Sequence, residues 1–184
     1  LETEHPELSA KYEKARQKAS QMLDYARASG RYPLTGKGDI NTYVLFAELA
    51  TQIVAPAGRI GLLVPSGIAT DKTTAKFFGS LMAEKRVKRL YDFENREHVF
   101  PDVDGRFKFC IFNAGGADVT FDRTDFLFFA HRIDEIEDPR RHVRLSEADL
   151  ARMNPNTKTC PVFRHRRDAE ITKGIYGRVP VLMD

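Results

Sequence analysis

The stretch that most restricts the fold is Arg59-Ile60-Gly61-Leu62-Leu63-Val64, an unbroken apolar run closed by Pro56-Ala57-Gly58 on one side and Pro65-Ser66-Gly67 on the other. So short a run between two sets of breakers suits a strand better than a helix. Its lack of polar alternation is what a central parallel strand covered on both faces requires. Thr70-Asp71 then offers an N-cap for a helix to about Lys85, with Ala75, Phe78, Leu81 and Met82 inward. A second apolar strand follows at Val87 to Phe93. Strand, helix and strand at this spacing predict a βαβ unit, whose strands are parallel neighbours joined by a right-handed crossover.

Ahead of this unit, Pro6 to Ser29 is rich in helix formers and holds no internal Gly or Pro, but its apolar stripe of Tyr12, Ala15, Ala19, Met22, Leu23 and Ala26 is narrow. Gly30 ends that helix, and Asp39 stands where it can cap a helix from about Ile40 to Val54. Beyond the unit, an irregular segment from Asn95 to Gly105 leads to a third strand over Phe107 to Ala114. Gly115-Gly116 is a turn signal, so Val119 to Phe121 is expected to pair back as a hairpin or an extension. Phe126 to His131 reads as a short strand and Ser146 to Met153 as a helix whose Ser146 and Asp149 form a capping box. Asn154-Pro155-Asn156-Thr157 is a turn, and Asp168 to Tyr176 a last helix. The fold class is α/β, with helices on the faces of a sheet.

At 184 residues the chain can bury a real core, to which 13 Phe contribute. Its 29 basic and 26 acidic side chains leave a net charge of +3, too little for the global field to argue for a nucleic acid. The distribution says more: Arg140, Arg141 and Arg144, then Arg164-His165-Arg166-Arg167, form two basic clusters that either meet phosphates or face water. Two cysteines give no disulfide framework, which fits a reducing cytoplasm, and no apolar run is long enough to span a membrane. The first residue is not Met and the last, Asp184, follows an apolar Val181-Leu182-Met183, so a piece of a longer protein is expected.

Several groups of residues could carry chemistry. Pro65-Ser66-Gly67 sits at the carboxyl end of a predicted strand, where ligands gather in open α/β sheets, though geometry alone also explains such a turn. Gly36-Lys37-Gly38-Asp39 has the look of a phosphate cradle before a helix but lacks the P-loop spacing. Asp92, Glu94, Glu97, Asp102 and Asp104 crowd one region and suggest a magnesium-dependent nuclease as a rival reading, with ordinary acidic loops as the plainer one. The five histidines show no zinc spacing, and no metal is expected. Along the third strand Phe107, Phe109 and Ile111 alternate with Lys108, Cys110 and Phe112, as in a strand buried on both faces or one whose first aromatic stacks on an extruded base.

Taken in order, Gly38-Asp39, Tyr43-Val44-Leu45-Phe46-Ala47-Glu48, Pro56 to Gly67, Phe100-Pro101 and Lys108-Phe109-Cys110-Ile111 resemble the carboxy-terminal half of the catalytic domain of gamma-type adenine-specific (N6) DNA methyltransferases. The likeness is to the large enzymes of type II restriction-modification and phage-exclusion systems. Asn154 to Phe163 is similar to the link to that family's target-recognition region. The resemblance implies three segments: 1–30 as a helical insertion or linker, 31–122 as half of a Rossmann-like, S-adenosylmethionine-dependent domain whose last strand is antiparallel, and 123–184 as an extension towards target recognition. It also implies that the intact protein binds double-stranded DNA and passes a methyl group from S-adenosylmethionine to a flipped adenine. Asp39, Pro65, Ser66 and Gly67 would wall the cofactor and base pocket, and Phe107 or Phe109 would stack on the base. Lys37, Arg106, Arg164, Arg166 and Arg167 would meet phosphates. No Asn-Pro-Pro-aromatic motif and no Gly-rich cofactor loop occur in the sequence. The implied fragment therefore holds no catalytic residue of its own, is expected to be inactive and to bind no cofactor, and needs an amino-terminal half and a target-recognition domain as partners. A non-catalytic α/β interaction module is the other alternative.

Overall fold

The computed structural model describes residues 5–157, 159–179 and 181; Lys158 and the ends of the first and last predicted segments lie outside them. Helix α1 (Pro6–Ala28) has Pro6 at its first turn and Gly30, at φ +70°, just after it. Its weak apolar stripe buries Ala26 alone. Helix α2 (Thr42–Ile53) is capped by Asn41, whose side chain accepts from the Tyr43 N–H at 3.5 Å. This corrects the expectation for Asp39, which stays exposed in the preceding loop. The extended backbone of Asn41 is what swings a side-chain oxygen over the first turn.

Strand β1 (Arg59–Pro65) follows. The single helix expected from Thr70 to Lys85 is instead broken into a one-turn α3 (Gly67–Thr70), a 3-10 turn over Lys72–Thr74, and α4 (Ala75–Ala83). Asp71 is the cause. Its backbone is extended, and the Thr74 hydroxyl donates back to the carbonyl of Gly67 at 2.6 Å across the break.

Strands β2 (Val87–Glu94), β3 (Lys108–Gly115), β4 (Thr124–Ala130) and β5 (Val143–Leu145) complete a five-stranded mixed sheet of order β1-β3-β2-β4-β5. Strands β1, β2 and β4 run one way, β3 and β5 the other. The βαβ expectation is thus half right. β1 and β2 are parallel in direction but not neighbours, because β3 pairs with both, placing Leu62 and Leu90 opposite Phe112. Val119 to Phe121 form no strand, since both edges of β3 are already occupied; the Phe121 N–H donates to Lys85 O at 2.7 Å instead.

β1 is also not the enclosed central strand its composition suggests. Among the described residues it lies at the sheet's edge and alternates between exposed and half-buried positions, with Leu63 55% exposed. An apolar run shows that a strand has a covered environment available to it, not which neighbours supply that cover.

The main core lies on one face of the sheet. Phe112, Leu90, Phe126, Val143 and Leu145 meet Phe77, Phe78, Leu81 and Met82 of α4, and the core continues to Leu150 and Met153 of α5 (Glu147–Met153) and Ala169 of α6 (Arg166–Tyr176). The predicted capping box of α5 is present, Ser146 Oγ accepting from Asp149 N at 3.2 Å. On the other face Tyr91, Phe93, Leu127 and Ala130 form a smaller cluster closed by Phe109, Ile111 and Ile136, the last from a 3-10 turn over Ile133–Glu137.

Glu48 joins the amino-terminal loop to this body. Its buried carboxylate accepts from the N–H groups of Leu34 and Thr35 at 3.2 and 2.9 Å and from the Thr35 hydroxyl at 2.6 Å. Glu48→Gln turns one acceptor into a donor facing donors. It is expected to cost about 1–3 kcal/mol in urea unfolding, whereas loss of the exposed Gln52 amide bond to Arg31 O should cost little.

Candidate functional site

The carboxyl ends of β1, β2 and β4 and the start of β3 come together at one end of the sheet. Ser66, directly after β1, is buried, and its hydroxyl donates to the carboxylate of Asp92 on β2. Gly67 opens α3, and an added Cβ there would run into the Asp71 carboxylate and stand 3.1 Å from the Tyr43 hydroxyl. The glycine is therefore explained by packing within the protein. Burial, with Asp71 and Cys110 adding, pushes the Tyr43 phenol up to about 12. Of the predicted wall, Pro65 is exposed, Ser66 is committed to Asp92, and Gly67 is packed against Asp71. Asp39 makes no hydrogen bond or ion pair among the described residues. Its loop is tied elsewhere, by Arg27 donating to Gly38 O at 3.4 Å and by Gly36 lying against the Ala26 carbonyl.

Asp92 has a second partner that nothing in the sequence announces: its other oxygen accepts from the backbone N–H of Phe129 at 3.0 Å. Phe129 has φ +57°, a left-handed backbone that a bulky aromatic seldom adopts and that costs on the order of 1–3 kcal/mol. The cause is a β-bulge. Tyr91 pairs with Leu127 but Phe93 with Ala130, so three steps along β4 match two along β2. The extra residue sends Phe129 to the helix-covered side with Phe128, while Leu127 and Ala130 face the smaller cluster. Arg141 secures the bend, donating to the carbonyls of Phe128 and Phe129 at 2.8 and 2.9 Å and pairing with Glu135.

Cations surround the Phe129 ring. Lys108 Nζ lies 4.2 Å and Arg164 Cζ 4.7 Å from its centroid. Lys108 also faces Glu94 across the β2–β3 ladder at 3.5 Å, and Glu94 is held by Arg96 at 2.8 Å and His131 at 3.2 Å. Arg96 above all, then His131 and Lys108, hold the Glu94 carboxyl down at about 2.

The two aromatic candidates separate. Phe109 is enclosed, stacked on Phe93 at 5.3 Å and met edge-on by Phe100 at 5.0 Å. Phe107 is 65% exposed at the end of a loop that Asn95 ties down through Phe100 N, Phe100 O and Val103 O. The phosphate candidates separate too. Arg106 forks onto Asp104 at 3.0 and 3.1 Å, Arg166 pairs with Glu170 at 3.1 Å, and Lys37 and Arg167 are exposed. Arg164 is the one gathered to the sheet end.

The acidic residues expected to bear on a nuclease reading are dispersed: Asp92 bonds Ser66 and Phe129, Glu94 faces bases, and Asp104 holds Arg106. Among the described residues no cluster of three His, Cys, Asp or Glu could hold a metal. Cys110 and Cys160 are buried, and burial pushes both thiols up, which disfavours the reactive thiolate.

These carboxyls set opposite pH limbs. Burial raises the folded-state pKa of Asp92, so its contribution to stability is full below the unfolded value near 3.8 and is lost as pH rises through the raised value. Glu94 is depressed, so its contribution is present above its usual 4.5 and is lost as pH falls through about 2. Asp92→Asn should flatten the limb on which the urea midpoint falls as pH rises through the raised value, while Glu94→Gln should flatten the acid limb.

No curated protein sequence matches the chain. Three solved structures are similar in part. The type IIG restriction endonuclease BpuSI aligns at 21% identity and TM-score 0.41 over 61% of this chain and 12% of its own. The DrdV–DNA complex aligns at 12% identity and TM-score 0.44 over 68% and 14%. The ATP-dependent type ISP restriction-modification enzyme LlaBIII, bound to DNA, aligns at 11% identity and TM-score 0.38 over 59% and 8%. The chain thus spans well under a fifth of the length of each. Residues 12–100, 89 of 184 and running from within α1 through β2 and into the loop after it, match the model of the family described as Eco57I restriction-modification methylase.

Proposed function

We propose that this chain is part of a DNA adenine-N6 methyltransferase of a restriction-modification or phage-defence system, acting in the cytoplasm. The observation that carries the reading is the Pro65-Ser66-Gly67 turn at the carboxyl end of β1, pinned by Asp92, inside the segment that matches a restriction-modification methylase family. Ligands of open α/β sheets bind at this end, and here an exposed aromatic and several cations stand beside it. In the intact protein S-adenosylmethionine supplies the methyl group. The turn offers such a cofactor only an outer wall of Pro65 and backbone, because the Ser66 hydroxyl and the space beside Gly67 are taken. Its methionine end and the amine of the target adenine are assigned to a Gly-rich loop and an Asn-Pro-Pro-aromatic motif contributed by other chain. Double-stranded DNA is the substrate, read by a separate target-recognition region.

Of the two candidate aromatics, Phe107 is the one free to stack on a flipped base, since both neighbours of the Phe109 ring are protein. Lys37, Arg106, Arg166 and Arg167 are exposed enough to approach phosphates, though Arg106 and Arg166 must first leave carboxylate partners.

The test is transfer of labelled methyl from S-adenosylmethionine to DNA by the full open reading frame that contains this chain, with N6-methyladenine identified by mass spectrometry. The 184-residue chain alone is expected to transfer none. In the full protein Phe107→Ala should slow transfer roughly 5- to 150-fold, the loss of about 1–3 kcal/mol of base stacking, with little change in stability. Phe109→Ala should instead lower stability by about 3–5 kcal/mol. Absence of methyladenine from the product of the full frame would overturn the reading.

A further inference from the structure

We infer that Lys108 and Arg164, laid on the ring of Phe129, hold the phosphodiester backbone of a DNA strand; this rests on the DNA-directed reading above and names residues for it. Three independent features meet here. The first is the bulge at Phe129, a left-handed aromatic kept in place by Asp92 and Arg141. A bulge of this kind re-aims a side chain, and it turns the Phe129 ring to where Lys108 at the start of β3 and Arg164 ahead of α6 both reach it.

The second feature is charge. Glu135 is taken up by Arg141, and Glu94 is shared among Arg96, His131 and Lys108. Arg164 has no carboxylate partner among the described residues; its contact is the aromatic ring. A guanidinium on an aromatic face keeps its N–H groups in plane and free for an anion, which is the geometry in which Arg takes up phosphate. The cluster is left with an excess of positive charge at the sheet end.

The third feature is the length of the ligand implied. Phe107 precedes Lys108 but alternates to the other side of the strand, so the ligand is met here by the two cations, which come from segments far apart in sequence. Two cations brought to one ring from β3 and from the segment ahead of α6 give a chain of repeated phosphates two points of attachment, which a lone phosphate does not need. Asp92 links this cluster to the turn after β1, since one carboxylate holds both Ser66 and Phe129.

The test is binding of a short fluorescein-labelled DNA duplex by the 184-residue chain, followed by anisotropy over a salt series. Each phosphate contact removed lowers the slope of log affinity against log salt by about one. Lys108→Gln and Arg164→Gln are each expected to lower it so, and Phe129→Gly, which suits the left-handed backbone, should weaken binding by releasing both cations. Lys14→Gln, on the exposed face of α1, removes the same charge and should leave the slope unchanged. Arg164 is exposed, so its variant should keep the thermal midpoint, which separates a binding role from a structural one. Unchanged slopes in the Lys108 and Arg164 variants, or no duplex binding by the parent chain, would overturn the assignment. Full displacement by inorganic phosphate at matched ionic strength would also do so, showing a free-anion site. None of these results touches methyl transfer by the full reading frame, so the two proposals fail separately.

Discussion

The pairing of β3 with both β1 and β2 is the constraint on which the rest of the structure rests. An antiparallel strand between two that run the other way satisfies an edge of each and brings the start of β3 beside their carboxyl ends. That arrangement gathers Ser66, Asp92, Glu94, Phe107 and Lys108, drawn from separate parts of the chain, at one end of the sheet. It also deprives the Val119 to Phe121 segment of an edge to pair with, and it leaves β1 with a free side among the described residues. Helices then cover one face, where the large aromatic side chains lie, and shorter turns close a smaller cluster on the other.

Within that frame a single buried carboxylate ties two strand ends together. Asp92 lies in a core-facing position opposite Cys110, where an ionised group is costly, yet it accepts from a hydroxyl on one side and a backbone amide on the other. Those bonds fix both the turn after β1 and the bulge in β4. The bulge in turn decides which way Phe129 points and so where two cations settle. Burial outweighs those hydrogen bonds, which is why its folded-state pKa is raised rather than lowered.

Elements with strong local signals are legible in the amino-acid sequence. The two long amino-terminal helices, β2, β3, the capping box at Ser146 and Asp149, and the final helix all lie within a residue or two of where propensity, breakers and caps put them. Less is legible where two local signals compete. Asp39 and Asn41 are both sound caps, and only the backbone at Asn41 chooses between them. The helix after β1 breaks at Asp71 because side chains of its own turn offer the backbone an alternative. Of the candidate site, the Pro65-Ser66-Gly67 turn and the exposed aromatic at the start of β3 stand out in the sequence. Asp92 stands out only as one acid among five, and Phe129, His131 and Lys108 carry no signal, because their meaning lies in contacts between strands that no spacing along the chain encodes.

The sequence by itself determined the α/β class, the positions of the early strands and the shared direction of the first two, since these follow from hydrophobic periodicity, from breakers a few residues apart and from the helical crossover between them. Tertiary structure alone decided strand order, the exposed side of β1, and which of Phe107 and Phe109 is exposed and which enclosed. It also made the left-handed Phe129 that carries Lys108 and Arg164. Each of these depends on which edges and faces find partners, a question settled by the competition of all segments for the same few hydrogen-bonding edges and the same buried volume.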